Sequence, residues 1–326
     1  MRLMTPADPN RGLLAALIDD GRPLLIFIGV CLALAGAFAL FLSVTRQFLP
    51  HDVQYLGMTA EQLCGIQNCH VAYFMFHDRV SFGGALIAIG ALYVWLAEFP
   101  LRNGEAWSWW LFFVSSVAGF GSFLAYLGYG YLDTWHGIAT LGLIPFFVVG
   151  LAKSRALIEA PASISVLTKS AWKVTWLSRD GIGRALLLAT AAGMIAGGLT
   201  IMTVGMTTVF VPQDISFIGV AANNLRSINP RLLPLIAHDR AGFGGGICTT
   251  GITVLFSVWC ARPSRSLWQV LCFAGTVGFG TAIGVHPAVG YNNMFHLAPA
   301  VIGAAAFIAG MVLCYRPMVK SGNPQI

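Results

Sequence analysis

Charge is what this chain has least of. Charged residues make up 10% of its 326 positions, where a soluble globular domain carries about 25%. Apolar residues reach 57% and the mean hydropathy is +0.74. This composition excludes a soluble fold and marks an integral membrane protein. Residues 1–22 hold Asp8, Asp19 and Asp20 and lack a cleavage site before the first apolar run. They read as a short cytoplasmic tail, not as a signal or transit peptide.

Uncharged windows give the spans. Residues 23–45, 80–97, 106–132, 134–152, 185–213 and 241–261 lie between charged residues, and most approach the roughly 20 residues that a bilayer-spanning helix needs. The stretch 266–315 carries no formal charge and is long enough for two more, broken at HPAVGYNN (286–293) by Pro287, Gly290 and two asparagines. Eight transmembrane helices are predicted. With the N-terminus inside, fourteen of the nineteen lysines and arginines fall on inner segments, which sets both termini in the cytoplasm. The net charge of +6 follows from that bias and calls for no nucleic-acid partner. The expected location is the cytoplasmic membrane of a bacterium, multi-pass.

The scarce charges that remain are arranged twice. HDRVSFGG (77–84) returns as HDRAGFGG (238–245), and FLPHDVQYLGMTAEQL (48–63) aligns without a gap with FVPQDISFIGVAANNL (210–225). VAGFG (117–121) matches TVGFG (276–280), and YLDTWH (131–136) matches YNNMFH (291–296). Ordered matches over this length indicate an internal repeat. Each copy holds four spans, an even number, so both copies sit the same way up about a pseudo-twofold axis along the membrane normal. The expected fold is all-α, two tandem four-helix bundles. Residues 1–22 form the N-terminal tail, 23–153 the first repeat, 154–183 a cytoplasmic linker, 184–316 the second repeat and 317–326 the C-terminal tail. Within the linker, Trp172 and Trp176 read either as headgroup anchors or as part of a plain loop.

Four histidines keep their place in both copies: His77 with His238, and His136 with His296. His51, His70 and His286 have no histidine counterpart. His77 opens the second span and His136 the fourth, so each unit offers two imidazoles near the outer leaflet. Small residues lie beneath them: Ser81, Gly84 and Ala88 below His77; Gly242, Gly245 and Thr249 below His238; Ala300 and Gly303 below His296. A flat macrocycle between paired histidines needs such a slot, and bundle cores are where cofactor sites are built. Small residues also let membrane helices pack closely with no cofactor, and interfacial histidines can simply bond water. Two pairs at matching positions favour a bound group, and ionisable residues in membranes mark function by default. On this reading His77 and His136 ligate one b-type haem, and His238 and His296 a second. Arg79 and Arg240 hold propionates, or pair with Asp78 and Asp239 to set helix depth. The first site, with Asp133 and Trp135 nearby, reads as the reactive one and the second as the tighter.

This plan resembles the haem A synthase family, which has eight spans in two four-helix halves. Each half of that family carries a histidine opening its second helix, arginine close behind, and another histidine opening its fourth. The resemblance covers roughly residues 23–316 and falls on His77, His136, His238 and His296, with Arg79 and Arg240. It implies one or two haem b groups on paired histidines and a membrane oxidoreductase. The family's paired cysteines in the first outer loop correspond to Cys64 and Cys69 of CGIQNC, which face an oxidising compartment and can form a disulfide or stand as thiols. The other five cysteines read as packing residues. Asp78 and Asp239 intervene between histidine and arginine, and Phe74 stands where the family has a catalytic glutamate. The resemblance therefore carries haem binding and not farnesyl-haem oxidation, and no residue here is assigned as catalytic.

Three classes follow. The first is a haem-binding membrane protein with a redox or haem-modifying role near the outer face, a quinone or a partner membrane subunit being candidate partners. The second is a polytopic transporter, which would place broken helices or charges at mid-membrane. The third is a non-catalytic subunit of a membrane complex of respiratory type. The doubled motif favours the first.

Overall fold

The computed structural model describes residues 12–125, 131, 134–158 and 163–320, and among these no strand occurs. Eight long helices succeed one another: α1 (Arg22–Val44), α2 (His70–Leu96), α3 (Ala106–Ala125), α4 (Thr134–Ser154), α5 (Arg179–Met206), α6 (Leu232–Cys260), α7 (Arg265–Val289) and α8 (Met294–Leu313). Seven stretches are long and apolar enough to cross a membrane: α1, α2 with its continuation to Leu101, Gly137–Leu157 within α4, and α5 to α8. The chain is a multi-pass membrane protein. The predicted window 106–132 is helical over Ala106–Ala125, and most of the remainder lies outside the described residues.

Local chemistry sets the helix ends. Pro23 sits in the first turn of α1, where its missing N–H costs nothing. The Ser178, Ser264 and Asn293 side chains accept hydrogen bonds from the backbone N–H groups of Gly181, Leu267 and both Phe295 and His296, capping α5, α7 and α8. The break read in HPAVGYNN falls where α7 stops: Gly290 takes φ 79° as the C-cap, and Asn293 starts α8. Two short helices, Pro50–Leu56 and Pro212–Ile218, precede α2 and α6 at the same end of the bundle and stop at Gly57 and Gly219 in the left-handed region.

Two helices are central. In α2 and in α6, 72% of the apolar window is buried, against 17–28% in the other spans. α2 packs against α1, α7 and α6, while α6 packs against α5, α3 and α2. The sequence predicts two separate four-helix bundles; the packing instead crosses, because α7 leans on α2 and α3 leans on α6. The repeated Gly-Gly pair provides the reason. Gly83 faces Gly36 of α1 while the adjacent Gly84 faces Thr281 of α7. Likewise Gly244 faces Gly198 of α5 and Gly245 faces Ser122 of α3. Successive helical residues point about 100° apart, so each doubled glycine opens one central helix to a neighbour from its own half and to one from the other.

The linker is tied to the bundle by one arginine. Trp172 is buried, and Arg184 lies over the rings of Trp172, Trp176 and Trp259 while donating hydrogen bonds to Trp172 O (2.6 Å), Ser170 Oγ (2.7 Å) and Trp259 O (3.1 Å). A guanidinium stacked on indoles holds the linker against the bundle, so Trp172 is not a headgroup anchor. Cys64 and Cys69 form a disulfide in the loop before α2, and Cys31, Cys248, Cys260, Cys272 and Cys314 are free thiols.

At Gly198 an added Cβ would meet the backbone of Gly244 and Cys248. Gly198→Val is expected to force α5 from α6 at a cost of about 1–3 kcal/mol, read as a lowered midpoint of thermal unfolding in detergent. Gly193→Val, where nothing lies within 4 Å, is expected to leave the midpoint near wild type.

Candidate functional site

His77, Asp78 and Arg79 are consecutive on α2, so they leave the helix in three directions. The same holds for His238, Asp239 and Arg240 on α6. Because the two helices pack together, each arginine reaches the aspartate of the other motif. Arg79 meets Asp239 through Nε (2.9 Å) and Asp52 through Nη1 (2.7 Å). Arg240 meets Asp78 through Nε (3.3 Å) and Asp214 through Nη1 (2.6 Å), and also donates to Val209 O (2.8 Å). Asp52 and Asp214 stand in the first turns of the two short helices, where a carboxylate suits the helix dipole. The Tyr131 hydroxyl donates to Asp52 Oδ1 (2.9 Å), and the Tyr291 hydroxyl donates to Asp214 Oδ1 (2.8 Å). Burial, reinforced by Asp214, holds the Tyr291 phenol well above its ordinary pKa, so it remains a donor. Arg240 lies 4.8 Å from the Phe74 ring centroid and Arg79 lies 5.3 Å from that of Phe48.

Of the two readings of the arginines, the contacts show Asp–Arg pairing, with partners exchanged between the motifs: each guanidinium faces two buried carboxylates. Phe74 serves as the aromatic floor under Arg240.

The histidines assemble across the halves as well. His77 Nδ1 is 3.0 Å from Asp78 Oδ1, and His77 Nε2 is 3.2 Å from His286 Nε2. His296 completes a triad in which one ring nitrogen from each residue lies within 4.8 Å of the others. Ring centroids are 5.6 Å apart for His77 and His296 and 5.5 Å for His286 and His296. His77 comes from α2, His286 from the end of α7 and His296 from the start of α8. Tyr291, in the turn between α7 and α8, stacks on His296 at 4.5 Å, and Asp214 Oδ1 lies 3.9 Å from His296 Nδ1. His77 thus has a carboxylate at hydrogen-bond distance behind it, the arrangement that orients a ligating histidine and fixes its tautomer.

His296, predicted to pair with His238 in its own half, therefore stands with His77 of the other half. The cause is the crossed packing that brings α7 and α8 to α2. His238 has Asp239 Oδ1 at 3.3 Å and the ring of Tyr131 at 5.2 Å. His136 opens α4, but its side chain lies outside the described residues, as does Asp133. His286 is missed by sequence reasoning because it has no histidine in the aligned repeat. Asp52 with Asp214 and Tyr131 with Tyr291 do align, and that signal was open to reading.

A cavity of about 750 Å³ lies beneath the triad among α2, α5, α6, α7 and α8. Ser81, Ala85 and Ala88 line it from α2, and Ala300 and Gly303 from α8, as the small face under His77 and His296 predicts. Gly84 instead backs on Thr281. Among the described residues near His238, Phe82 stands against Gly242 and Gly246 and Ser122 against Gly245, with a void of about 60 Å³ beside them. The open space is enclosed mainly by second-half helices, with α2 as the first-half wall.

No protein-family model, curated protein or solved structure matches the chain. What the site does must come from its own chemistry.

Removing one partner from a buried ion pair costs about 3–5 kcal/mol, because it leaves a charge uncompensated. Arg240→Gln is therefore expected to destabilise the protein by that amount, and Asp214→Asn in the same chain to recover part of it. The check is denaturant unfolding in mild detergent. Additive losses in the double variant would show that the two groups are not coupled.

Proposed function

We propose that this chain is a membrane-embedded metalloprotein of redox type, with its metal centre held by His77, His286 and His296 near the outer face of a bacterial cytoplasmic membrane. Ala106–Ala125 is taken as an eighth span, and the doubled motif as a two-fold repeat with both termini in the cytoplasm. The aligned segments and the crossed Arg–Asp contacts support the repeat, and the lysine and arginine bias supports the orientation.

One observation carries the metal: three buried or half-buried imidazoles from three helices converge on a point, with His77 Nε2 and His286 Nε2 3.2 Å apart. Metal–imidazole bonds of about 2.0–2.1 Å in a tetrahedral site place nitrogens roughly 3.4 Å apart. The donor set is imidazole alone, which suits copper, iron or zinc, and a redox role selects copper or iron. Charge points the same way. Asp78 and Asp214 set two carboxylates against the one guanidinium of Arg240, and a cation beside them offsets the excess. Such an ion supplies a one-electron couple and an open coordination position. The chain contributes the rest. Asp78 directs His77 Nε2 inward, Tyr291 braces His296, and the surrounding apolar walls exclude water.

Haem b is the second reading, and the cavity directly beneath the triad favours it, since its volume and small lining residues suit a flat macrocycle. His77 and His296 would be the axial ligands. Axial nitrogens stand about 4 Å apart, twice a metal–imidazole bond, with the ring plane between them. His286 stands against His77 Nε2, where that plane would pass, and this favours the single ion.

Metal analysis and an optical spectrum of protein purified in mild detergent decide between the two. The expected result is about one copper or iron per chain, lost in His286→Ala, with no haem extracted. A Soret band that survives His286→Ala but not His77→Ala would establish haem instead. Protein from metal-replete and haem-replete cells that holds neither would overturn both readings and leave the transporter.

A further inference from the structure

We infer that the cavity under the histidine triad takes a lipid-soluble hydroquinone or quinone, entering sideways from the bilayer, with its ring beside the triad and its tail leaving between α5 and α8. The inference rests on the single-ion reading in one respect, that no haem fills the space, because a haem there would exclude such a ligand.

The side opening is built by the way α5 and α8 diverge. They touch where Gly183 of α5 meets Gly310 and Leu313 of α8. Towards the histidine end they separate. Gly193 and Gly197 line the cavity from α5, and nothing lies within 4 Å of where their Cβ atoms would be. Opposite them on α8, Phe295 and Ile302 also line the cavity while being 85% and 68% exposed. Residues that face both a cavity and the outside of a membrane protein face lipid, so the ligand must be one that lipid delivers.

The inner end selects the headgroup. Ser81 is 3% exposed, lines the cavity one turn below His77, and its Oγ has no hydrogen-bond partner. A helical serine in an apolar setting ordinarily bonds back to the carbonyl four residues earlier, and an unsatisfied buried hydroxyl is costly. A ligand hydroxyl or carbonyl at this position satisfies it. The side chains offer a phospholipid head little. Arg240 is the one charged side chain among the described lining residues, and Asp78 and Asp214 already hold it, so no lining side chain is left to pair with a phosphate. A polar, uncharged head suits this lining better. From His77 to Ala88 the lined face runs three turns, about 16 Å at 1.5 Å per residue. The volume is within the roughly 300–1,000 Å³ of small-molecule sites. A ring and the first part of a tail fit within it.

The test uses a photoreactive azido-quinone with a ten-carbon tail on the full chain in detergent, with mapping of labelled peptides by mass spectrometry. Label is expected on peptides holding Gly193–Ile201 and Phe295–Ile302. Gly197→Trp, which fills the opening where there is space for it, is expected to cut labelling at least tenfold, and Ile302→Trp gives the same test from the opposite wall should the first variant fail to fold. Ser81→Ala is expected to weaken competition by unlabelled decyl-quinone about three- to tenfold, the loss of one hydrogen bond. Metal content, measured on the same samples, reads the histidine centre separately: labelling that persists after chelation leaves this inference standing even if the metal assignment fails. Labelling unchanged by both tryptophan variants, displacement by phosphatidylglycerol as effective as by decyl-quinone, or haem recovered from the cavity would each overturn it.

Discussion

The structure depends on one exchange: two arginines on two central helices, each held by the aspartate of the other's motif. Neither α2 nor α6 satisfies its own charges. Asp78 needs Arg240, and Asp239 needs Arg79, at 3.3 and 2.9 Å. In an apolar interior an unpaired charge is far costlier than at a surface, so the two helices cannot separate without exposing four charges to lipid. The outer pair, Asp52 and Asp214, extends the same constraint to the short helices ahead of α2 and α6. Tyr131 and Tyr291 then tie in the segments just ahead of α4 and α8. An entire end of the bundle is thereby fixed in register by a handful of polar contacts.

The same exchange decides where the histidines go. His77 precedes Asp78 by one residue, so fixing Asp78 against Arg240 turns His77 about 100° away, towards α7 and α8. Its Nδ1 still reaches Asp78 at 3.0 Å, and its Nε2 is left for the triad. The doubled glycines make room for this crossing, since Gly84 lets Thr281 of α7 lie against α2. The motif HDR…FGG thus reads as one device. Its histidine supplies a ligand, its charges weld the halves, and its glycines admit a helix from the other half.

Much of this was legible in the sequence, and the part that was not has a physical explanation. Helix windows, the turn at Gly290 and the small face under His77 follow from local composition, which a single segment carries. The alignment of HDR with HDR marks both sets of charges as paired features. It cannot say whether Arg79 meets Asp78 of its own helix or Asp239 of the other, because both partners carry the same residue types. Pairing within each half was the simpler assumption, and it placed His296 with His238. His286 escaped for a related reason: a repeat highlights what is duplicated, and a centre that exists once is built partly from what is not. Trp172 could not be placed from sequence because an indole near a linker reads the same whether it faces headgroups or a buried guanidinium such as Arg184.

That last asymmetry bears on function. The charged frame is close to two-fold, yet the two aligned phenylalanines beside it stand differently. Phe82 lies against Gly242 and Gly246 of α6, whereas Phe243 stands at the wall of the cavity under the triad. Duplication supplied two equal frames, and side chains of identical type at matching positions then packed differently against them. Among the described residues, His286 joins His77 and His296 and has no histidine at the aligned position. The exchanged charges hold the halves together, while the unmatched histidine gives one end a cluster that the repeat alone does not supply.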